Sequence, residues 1–142
     1  MIKVENLTKK YSGFTAIKDL SFEVAKGEIV GFLGPNGAGK TTTMRILSGF
    51  LPATSGRASI AGFDVFEQSL EARKRIGYLP ENTPLYPEMR VNEYLRYRAN
   101  LKGVEGRKVK ERVGDVVDLC NLKEKERAII GTLSKGDRKS VV

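Results

Sequence analysis

The first part of the sequence alternates apolar and polar residues as strands do, and the later part repeats apolar residues at the spacing of helices. Residues 2–7 alternate apolar and polar side chains, and the run Phe14–Val24 contains a second such segment. Alternation at period two predicts half-exposed strands. The run Glu28–Leu33 is almost wholly apolar, which is typical of a strand buried on both faces. The other predicted elements are strands at Arg57–Ile60 and Ile76–Leu79, a loop at Thr54-Ser55-Gly56, and helices at Thr42–Leu47, Ser69–Arg75, Val91–Leu101 and Lys108–Leu122.

The last predicted helix has a marked apolar face. Its members recur at helical spacing and comprise Val109, Val113, Val116, Val117 and Cys120. Such a stripe normally packs into a core, so we expect Cys120 to be a buried structural thiol rather than a reactive one. A single cysteine also excludes an internal disulfide framework.

Composition agrees with one globular domain that has a real core. The sequence has 142 residues, of which 40% are apolar and 30% charged, and it contains neither a membrane-spanning run nor a signal peptide, so we expect a cytoplasmic protein. The net charge of +8 leaves nucleic-acid binding open, but the Lys and Arg residues are scattered and no cluster alternates with aromatics. We therefore favour a solvated basic surface together with a phosphate site, and we expect no nucleic-acid partner.

The segment Gly34-Pro35-Asn36-Gly37-Ala38-Gly39-Lys40-Thr41 fits the GxxxxGK[ST] pattern of a phosphate-binding loop. Gly37 and Gly39 permit a tight backbone turn, which allows successive N–H groups to face an anion. Lys40 can reach the β- and γ-phosphates, and the Thr41 hydroxyl can bind Mg²⁺. A predicted strand precedes the loop and a predicted helix follows it, so we favour a phosphate site over a glycine-rich turn that binds nothing.

Four further segments accompany this loop in a fixed order. They are Tyr11, Thr54-Ser55-Gly56, Ile76-Gly77-Tyr78-Leu79-Pro80-Glu81 and Leu133-Ser134-Lys135-Gly136. Together with the loop they resemble the nucleotide-binding subunit of an ABC transporter, in particular the ATPases of ABC-2-type exporters and gliding-motility systems. The resemblance extends over residues 1–136.

The resemblance implies an α/β fold, a P-loop NTPase of the RecA-like ABC cassette type. An ATP-binding core with an antiparallel β subdomain would occupy residues 1–81, and a helical subdomain would occupy residues 82–136. The implied ligands are ATP and Mg²⁺. The implied partners are a second nucleotide-binding subunit and an integral membrane permease, contacted through residues 82–90 at the inner face of the cell membrane.

The same resemblance implies roles for individual residues. Tyr11 would stack on adenine, although a surface tyrosine at a strand end is the alternative. Residues Gly34, Asn36, Gly37, Ala38, Gly39, Lys40, Thr41 and Thr42 would form the Walker A motif, with Thr41 and Glu81 near the metal. Glu81 stands where the family usually has glutamine, and an ionised carboxylate cannot donate a hydrogen bond.

Ser134, Lys135 and Gly136 would form the signature motif, which in the family contacts the γ-phosphate held by the opposite subunit. Lysine stands where glycine is commoner. The alternative is an ordinary helix N-cap at Ser134, and the two roles are compatible because an N-cap is also an anion site.

In the family, a Walker B aspartate, a catalytic glutamate and a switch histidine follow the signature motif. Residues 137–142 contain none of them in that arrangement, and the sequence has no histidine, so we assign no catalytic residue. We expect this chain to lack the C-terminal half of the core, to be prone to aggregation, and to bind ATP weakly without turnover. The last six residues depart from the family pattern and can be back-translated into a string resembling a sequencing adapter, so we hypothesise that they are non-native.

Three other functions would also fit parts of this sequence. A GTPase or a small-molecule kinase would share the loop, but no NKxD segment is present. A soluble ABC-type ATPase acting on ribosomes or nucleic acid without a permease is the main alternative. The third is a fragment without function.

Overall fold

The computed structural model describes residues 1–80 and 84–141 and divides the chain into two compact units, Met1–Tyr78 and Leu79–Val142. None of the helices in these described ranges combines the length and the apolar character that a bilayer span requires. Each unit has its own hydrophobic core.

The first unit is built on an antiparallel sheet. Its strands are β1 (Ile2–Tyr11), β2 (Phe14–Val24), β3 (Ser55–Ile60) and β4 (Phe63–Asp64), arranged in the order β2-β1-β3-β4. The strands predicted near residues 2–7 and within Phe14–Val24 are confirmed, and so is the strand ending at Ile60. Two helices, α1 (Lys40–Leu47) and α2 (Ser69–Lys74), accompany this sheet, both close to their predicted bounds.

A bulge in β1 explains the segment Thr54-Ser55-Gly56. The register of β1 shifts on both sides beyond Val4 and Glu5, and Asn6 has a positive φ of 50°. Gly56 also has a positive φ, of 83°, and a Cβ there would collide with the Asn6 carbonyl. The predicted loop at these residues is therefore wrong for Ser55 and Gly56, which begin β3. Position 56 is a glycine because the bulged strand approaches it too closely for a side chain.

The core of the first unit lies between the sheet and the two helices. Its buried residues are Val4, Leu7, Ile17, Ile46, Leu47, Ala58, Ile60, Val65 and Ala72. All are aliphatic, as expected for a core of packed side chains in ordinary rotamers.

The predicted strand at Glu28–Leu33 is wrong: the structure shows a segment without regular secondary structure that pairs with no strand in the described ranges. Ile29 is 99% exposed and Leu33 is 93% exposed, and only Phe32 turns inward, with its ring 5.6 Å from that of Phe22. The physical reason is that an apolar run becomes a buried strand only where neighbours supply hydrogen bonds and cover both faces. The predicted strand Ile76–Leu79 is wrong for the same reason.

The second unit is helical. It contains α3 (Val91–Leu101), α4 (Gly106–Leu119) and α5 (Lys135–Ser140), with short 3₁₀ turns at Lys123–Lys125 and Ile130–Thr132. Helix α3 has its predicted bounds, and α4 begins and ends earlier than predicted. The buried residues are Val91, Tyr94, Leu95, Val113, Val117, Leu122, Ile130, Leu133 and Val141.

The prediction that Cys120 is buried is wrong. Helix α4 ends at Leu119, and Cys120 is its exposed C-cap residue. Asn121 then adopts a positive φ of 54°, so the apolar periodicity does not continue past the last helical turn. Of the predicted stripe, Val113 and Val117 are buried and Val109 packs at the margin of the core, whereas Val116 is exposed, so the prediction is wrong for that residue.

Candidate phosphate-binding site

Gly39 allows the loop at residues 34–41 to pack closely against strand β2. Gly39 has a φ of 82°, and a Cβ there would collide with the Ala16 carbonyl oxygen and lie 3.1 Å from Cγ1 of Ile17. Gly37 has a similar φ of 86°, but a Cβ there would meet nothing within 4 Å. Gly37 is therefore required only by the backbone turn, whereas Gly39 is also required by the close approach of the loop to the sheet.

Helix α1 presents its N-terminus at the end of this loop. Gly39 is the N-cap residue and provides no side-chain cap, while its carbonyl accepts hydrogen bonds from the Thr43 amide (2.8 Å) and the Thr43 hydroxyl (3.0 Å). The amides of the first helical residues have no intrahelical acceptor, and the helix dipole adds a partial positive charge. This end of α1 therefore suits an anion.

Lys40 adds a full positive charge at the same place. Its half-buried side chain folds back over the loop, and the ammonium donates hydrogen bonds to the carbonyls of Gly34 and Pro35, the latter at 2.7 Å. These acceptors are neutral, so phosphate oxygens would be stronger partners for the ammonium. The Ala38 amide also bonds the Pro35 carbonyl at 3.2 Å, which keeps the turn closed.

The remaining loop residues differ in exposure. Asn36, Ala38 and Thr41 are exposed and Thr42 is half-buried. The described residues contain no group of three or more His, Cys, Asp or Glu side chains that could hold a metal ion. A divalent cation here would therefore depend on phosphate oxygens and the Thr41 hydroxyl, which is a donor set that suits Mg²⁺ bound with a nucleotide. Glu81, the other predicted metal residue, lies outside the described residues.

Tyr11 lies at the end of β1, directly opposite Phe14 of β2. The two rings stack with centroids 5.3 Å apart and planes 22° apart, and the Lys9 ammonium lies 5.3 Å from the centre of the Tyr11 ring. Sequence reasoning missed Phe14, although an aromatic residue on each side of the dipeptide Ser12-Gly13 is a hairpin signal that could have indicated the pair.

Ser134 is the N-cap residue of α5, as the alternative interpretation of this segment proposed. Its Oγ accepts a hydrogen bond from the Asp137 amide at 3.1 Å, and its hydroxyl donates to Oδ2 of Asp137 at 2.8 Å. Lys135 and Gly136 form the exposed first turn of the helix. The sequence did not indicate Asp137, which satisfies the cap from within this chain.

The chain preceding Ser134 is bonded to the segment that follows the undescribed residues 81–83. The amides of Ile130 and Gly131 donate to the carbonyls of Met89 and Pro87, each at 2.9 Å. In the same segment, a hydrogen bond with Tyr97 raises the pKa of Tyr86, and the two rings meet edge to face at 5.7 Å. Residues 84–90 are thus held by α3 and by the 3₁₀ turn ahead of α5.

Comparison with known proteins agrees with this geometry. The family model described as "ABC transporter" matches residues 17–142. The chain is 34% identical over 141 residues to the Linearmycin resistance ATP-binding protein LnrL of Bacillus subtilis, covering 99% of this chain but 45% of that relative.

Two solved structures share the fold over 99% of this chain. One is an ATP-binding subunit of an ABC transporter, with a TM-score of 0.88, 28% identity and 59% of its own chain covered. The other is a dimeric bacterial ABC transporter cassette, with a TM-score of 0.86, 25% identity and 66% of its own chain covered. The fold is thus that of a P-loop NTPase of the ABC cassette type, and the chain belongs to the ABC transporter family.

Proposed function

We propose that this chain binds ATP with Mg²⁺ through residues 34–42 and serves as the nucleotide-binding part of an ABC transporter. The observation that carries the proposal is the placement of Gly39. This residue has a left-handed backbone conformation, lies in close contact with β2 and stands at the open N-terminus of α1. The relatives support it, since several of them are named as ATP-binding proteins.

Each residue of the loop has a distinct task in this proposal. The amides of Gly37 and of residues 39–42 surround the phosphates, and Lys40 exchanges its carbonyl acceptors for phosphate oxygens. Thr41 offers its hydroxyl to the metal, while Asn36 and Ala38 complete the turn. Tyr11 stacks on the base. Bound Mg²⁺ would neutralise charge on the β- and γ-phosphates.

The transporter role needs two partners. A second cassette would place its Ser134-Lys135-Gly136 segment on the nucleotide bound here, and one structural neighbour is a dimer. A separate membrane permease would contact residues 82–90 and hold the complex at the inner face of the membrane. Binding of ATP would join the two cassettes, and hydrolysis in the complete system would separate them and drive export.

This 142-residue chain would hold the nucleotide without cleaving it. Its sequence offers no histidine, and none of its carboxylates is assigned as the group that orients the attacking water. The chain spans about half the length of the curated relatives it matches. What the whole protein does, which substrate it moves and in which direction are therefore matters of proposal.

The test is a binding titration with three variants. Mg²⁺–ATP is titrated into the wild-type chain, Lys40→Ala and Lys26→Ala, the last being an exposed lysine of the preceding turn. Loss of a charge-assisted hydrogen bond costs about 1.5–3 kcal/mol, so we expect Lys40→Ala to bind at least about tenfold more weakly. Lys26→Ala should bind like the wild type. Equal binding by all three would reject the site.

A further inference from the structure

The tip of the β1–β2 hairpin carries two aromatic rings rather than one. Tyr11 and Phe14 are paired in the register and joined by Ser12 and Gly13, whose φ of 93° closes the turn. Directly opposed residues of an antiparallel pair project to the same side of the sheet, which is why their rings stack. The sequence motif includes only the first of the two rings.

Phe14 offers the larger free aromatic surface of the pair. It is 61% exposed, whereas Tyr11 is 39% exposed and has the Lys9 ammonium over its ring. That ammonium is also anchored by a hydrogen bond to the Pro52 carbonyl at 2.8 Å. Within the described part of the chain, Tyr11 is the one ring or cation partner of Phe14.

Strand β2 connects this ring to the phosphate loop. Ala16, whose carbonyl abuts Gly39, follows Phe14 by two residues. Two residues of a strand span about 7 Å, so the ring of Phe14 starts close to the point where the loop meets β2. A nucleotide whose phosphates occupy residues 34–42 can therefore extend its base toward the hairpin tip.

We infer that Phe14 is a second base-contacting residue, and that Tyr11 and Phe14 together form a two-ring platform for a purine nucleotide. The inference rests on the proposed function, because it places the phosphates of that nucleotide on the loop. A base presents a π-face whatever its hydrogen-bonding edge, so the platform stabilises binding by stacking rather than by reading the base.

The experiment compares two ligands that differ in the base. Affinities for Mg²⁺–ATP and for inorganic tripolyphosphate with Mg²⁺ are measured by calorimetry on the wild-type chain, Phe14→Ala, Phe14→Tyr and Phe66→Ala. Phe66 is the matched control because it is also an exposed phenylalanine of the first unit, at 73%. We expect Phe14→Ala to weaken ATP binding roughly five- to fiftyfold and to change tripolyphosphate binding less than about twofold. Phe14→Tyr and Phe66→Ala should bind both ligands like the wild type.

Each other outcome overturns a defined part of the argument. Equal losses for both ligands in Phe14→Ala would make Phe14 a structural residue, and unchanged ATP binding would remove it from the site. A wild-type chain that binds ATP no better than tripolyphosphate, with both lost in Lys40→Ala, would overturn the platform and leave the phosphate site intact. A wild-type chain that binds neither ligand would overturn both proposals.

Discussion

The backbone carbonyl of Ala16 occupies the space that a side chain on Gly39 would need. This contact brings the phosphate loop close to strand β2, and it makes Gly37 and Gly39 of the loop unequal. Gly37 has almost the same backbone conformation, but its missing side chain faces open space.

The first prediction follows from that difference. Gly37→Ala carries only the strain of a left-handed residue, about 1–2 kcal/mol, whereas Gly39→Ala adds a collision with backbone that cannot move aside. We expect Gly39→Ala to lower the free energy of unfolding by roughly 3 kcal/mol or more. Thermal and urea unfolding of both variants, with the wild type, measure the difference. Two variants of equal stability would contradict the close packing of loop and sheet.

The bulge in β1 gives a second prediction of the same kind at another site. Gly56→Ala would drive a Cβ into the Asn6 carbonyl, while Gly62→Ala, at a φ of 85°, meets nothing within 4 Å. We expect Gly56→Ala to destabilise the first unit by roughly 3 kcal/mol or more and Gly62→Ala by about 1–2 kcal/mol. Loss of sheet signal in circular dichroism at lower urea concentration is the readout. A Gly62→Ala variant as unstable as Gly56→Ala would show that the bulge is not the reason for the glycine.

How far the sequence predicts this structure depends on whether the deciding contacts are local. Helix α3 has the bounds expected from its periodicity, because a helix satisfies its own backbone hydrogen bonds. The run Glu28–Leu33 is not a strand, because strand formation depends on neighbours that the run itself does not encode. Cys120 is exposed because α4 ends one residue before it, and helix ends are the least certain part of a periodic pattern.

In the candidate site, too, features set by local contacts could be predicted and features set by distant contacts could not. Residues 34–41 could be recognised because their pattern encodes a local backbone turn and the start of a helix. The requirement for Gly56 arises from cross-strand register between residues far apart in the sequence, which no short pattern contains. The stacking of Phe14 on Tyr11 also depends on register, although here the two residues flank a short hairpin turn. The family resemblance indicated Tyr11, but the hairpin geometry was needed to find its partner.

The exposed apolar residues Ile29 and Leu33 give a third prediction. Their side chains are almost wholly accessible, so replacing both with lysine should change the free energy of unfolding by less than about 0.5 kcal/mol. The same double substitution should reduce self-association, because exposed apolar patches promote it. Light scattering against concentration measures the second effect. A marked loss of stability would indicate that these residues are buried in solution, for example against a second copy.

The cap at Ser134 gives a fourth prediction, which separates its structural role from its proposed role in a dimer. Ser134→Ala removes the acceptor for the Asp137 amide and should cost about 0.5–2 kcal/mol in the second unit. Ser134→Asp keeps a cap acceptor but places a negative charge where the proposal puts a phosphate. That charge also lies beside the Asp137 carboxylate, to which the Ser134 hydroxyl donates, so we expect Ser134→Asp to be less stable than the wild type. At temperatures where it is still folded, it should lose any ATP-dependent dimer, measured by sedimentation velocity with and without Mg²⁺–ATP. A Ser134→Asp chain that dimerises like the wild type would remove Ser134 from the phosphate contact.

The last prediction concerns turnover. Binding of the phosphates needs the loop amides and Lys40, but cleavage also needs a group that orients water for attack on the γ-phosphate. Under the proposed function this chain holds the nucleotide without cleaving it, so phosphate release by the 142-residue chain should equal the buffer background and be unchanged in Lys40→Ala. A coupled phosphate assay over several hours has the necessary sensitivity, and the binding titration on the same preparation shows that the loop is folded. Steady release that disappears in Lys40→Ala would mean that this chain supplies its own water-activating group, and the described carboxylates nearest the loop would then be the residues to substitute first.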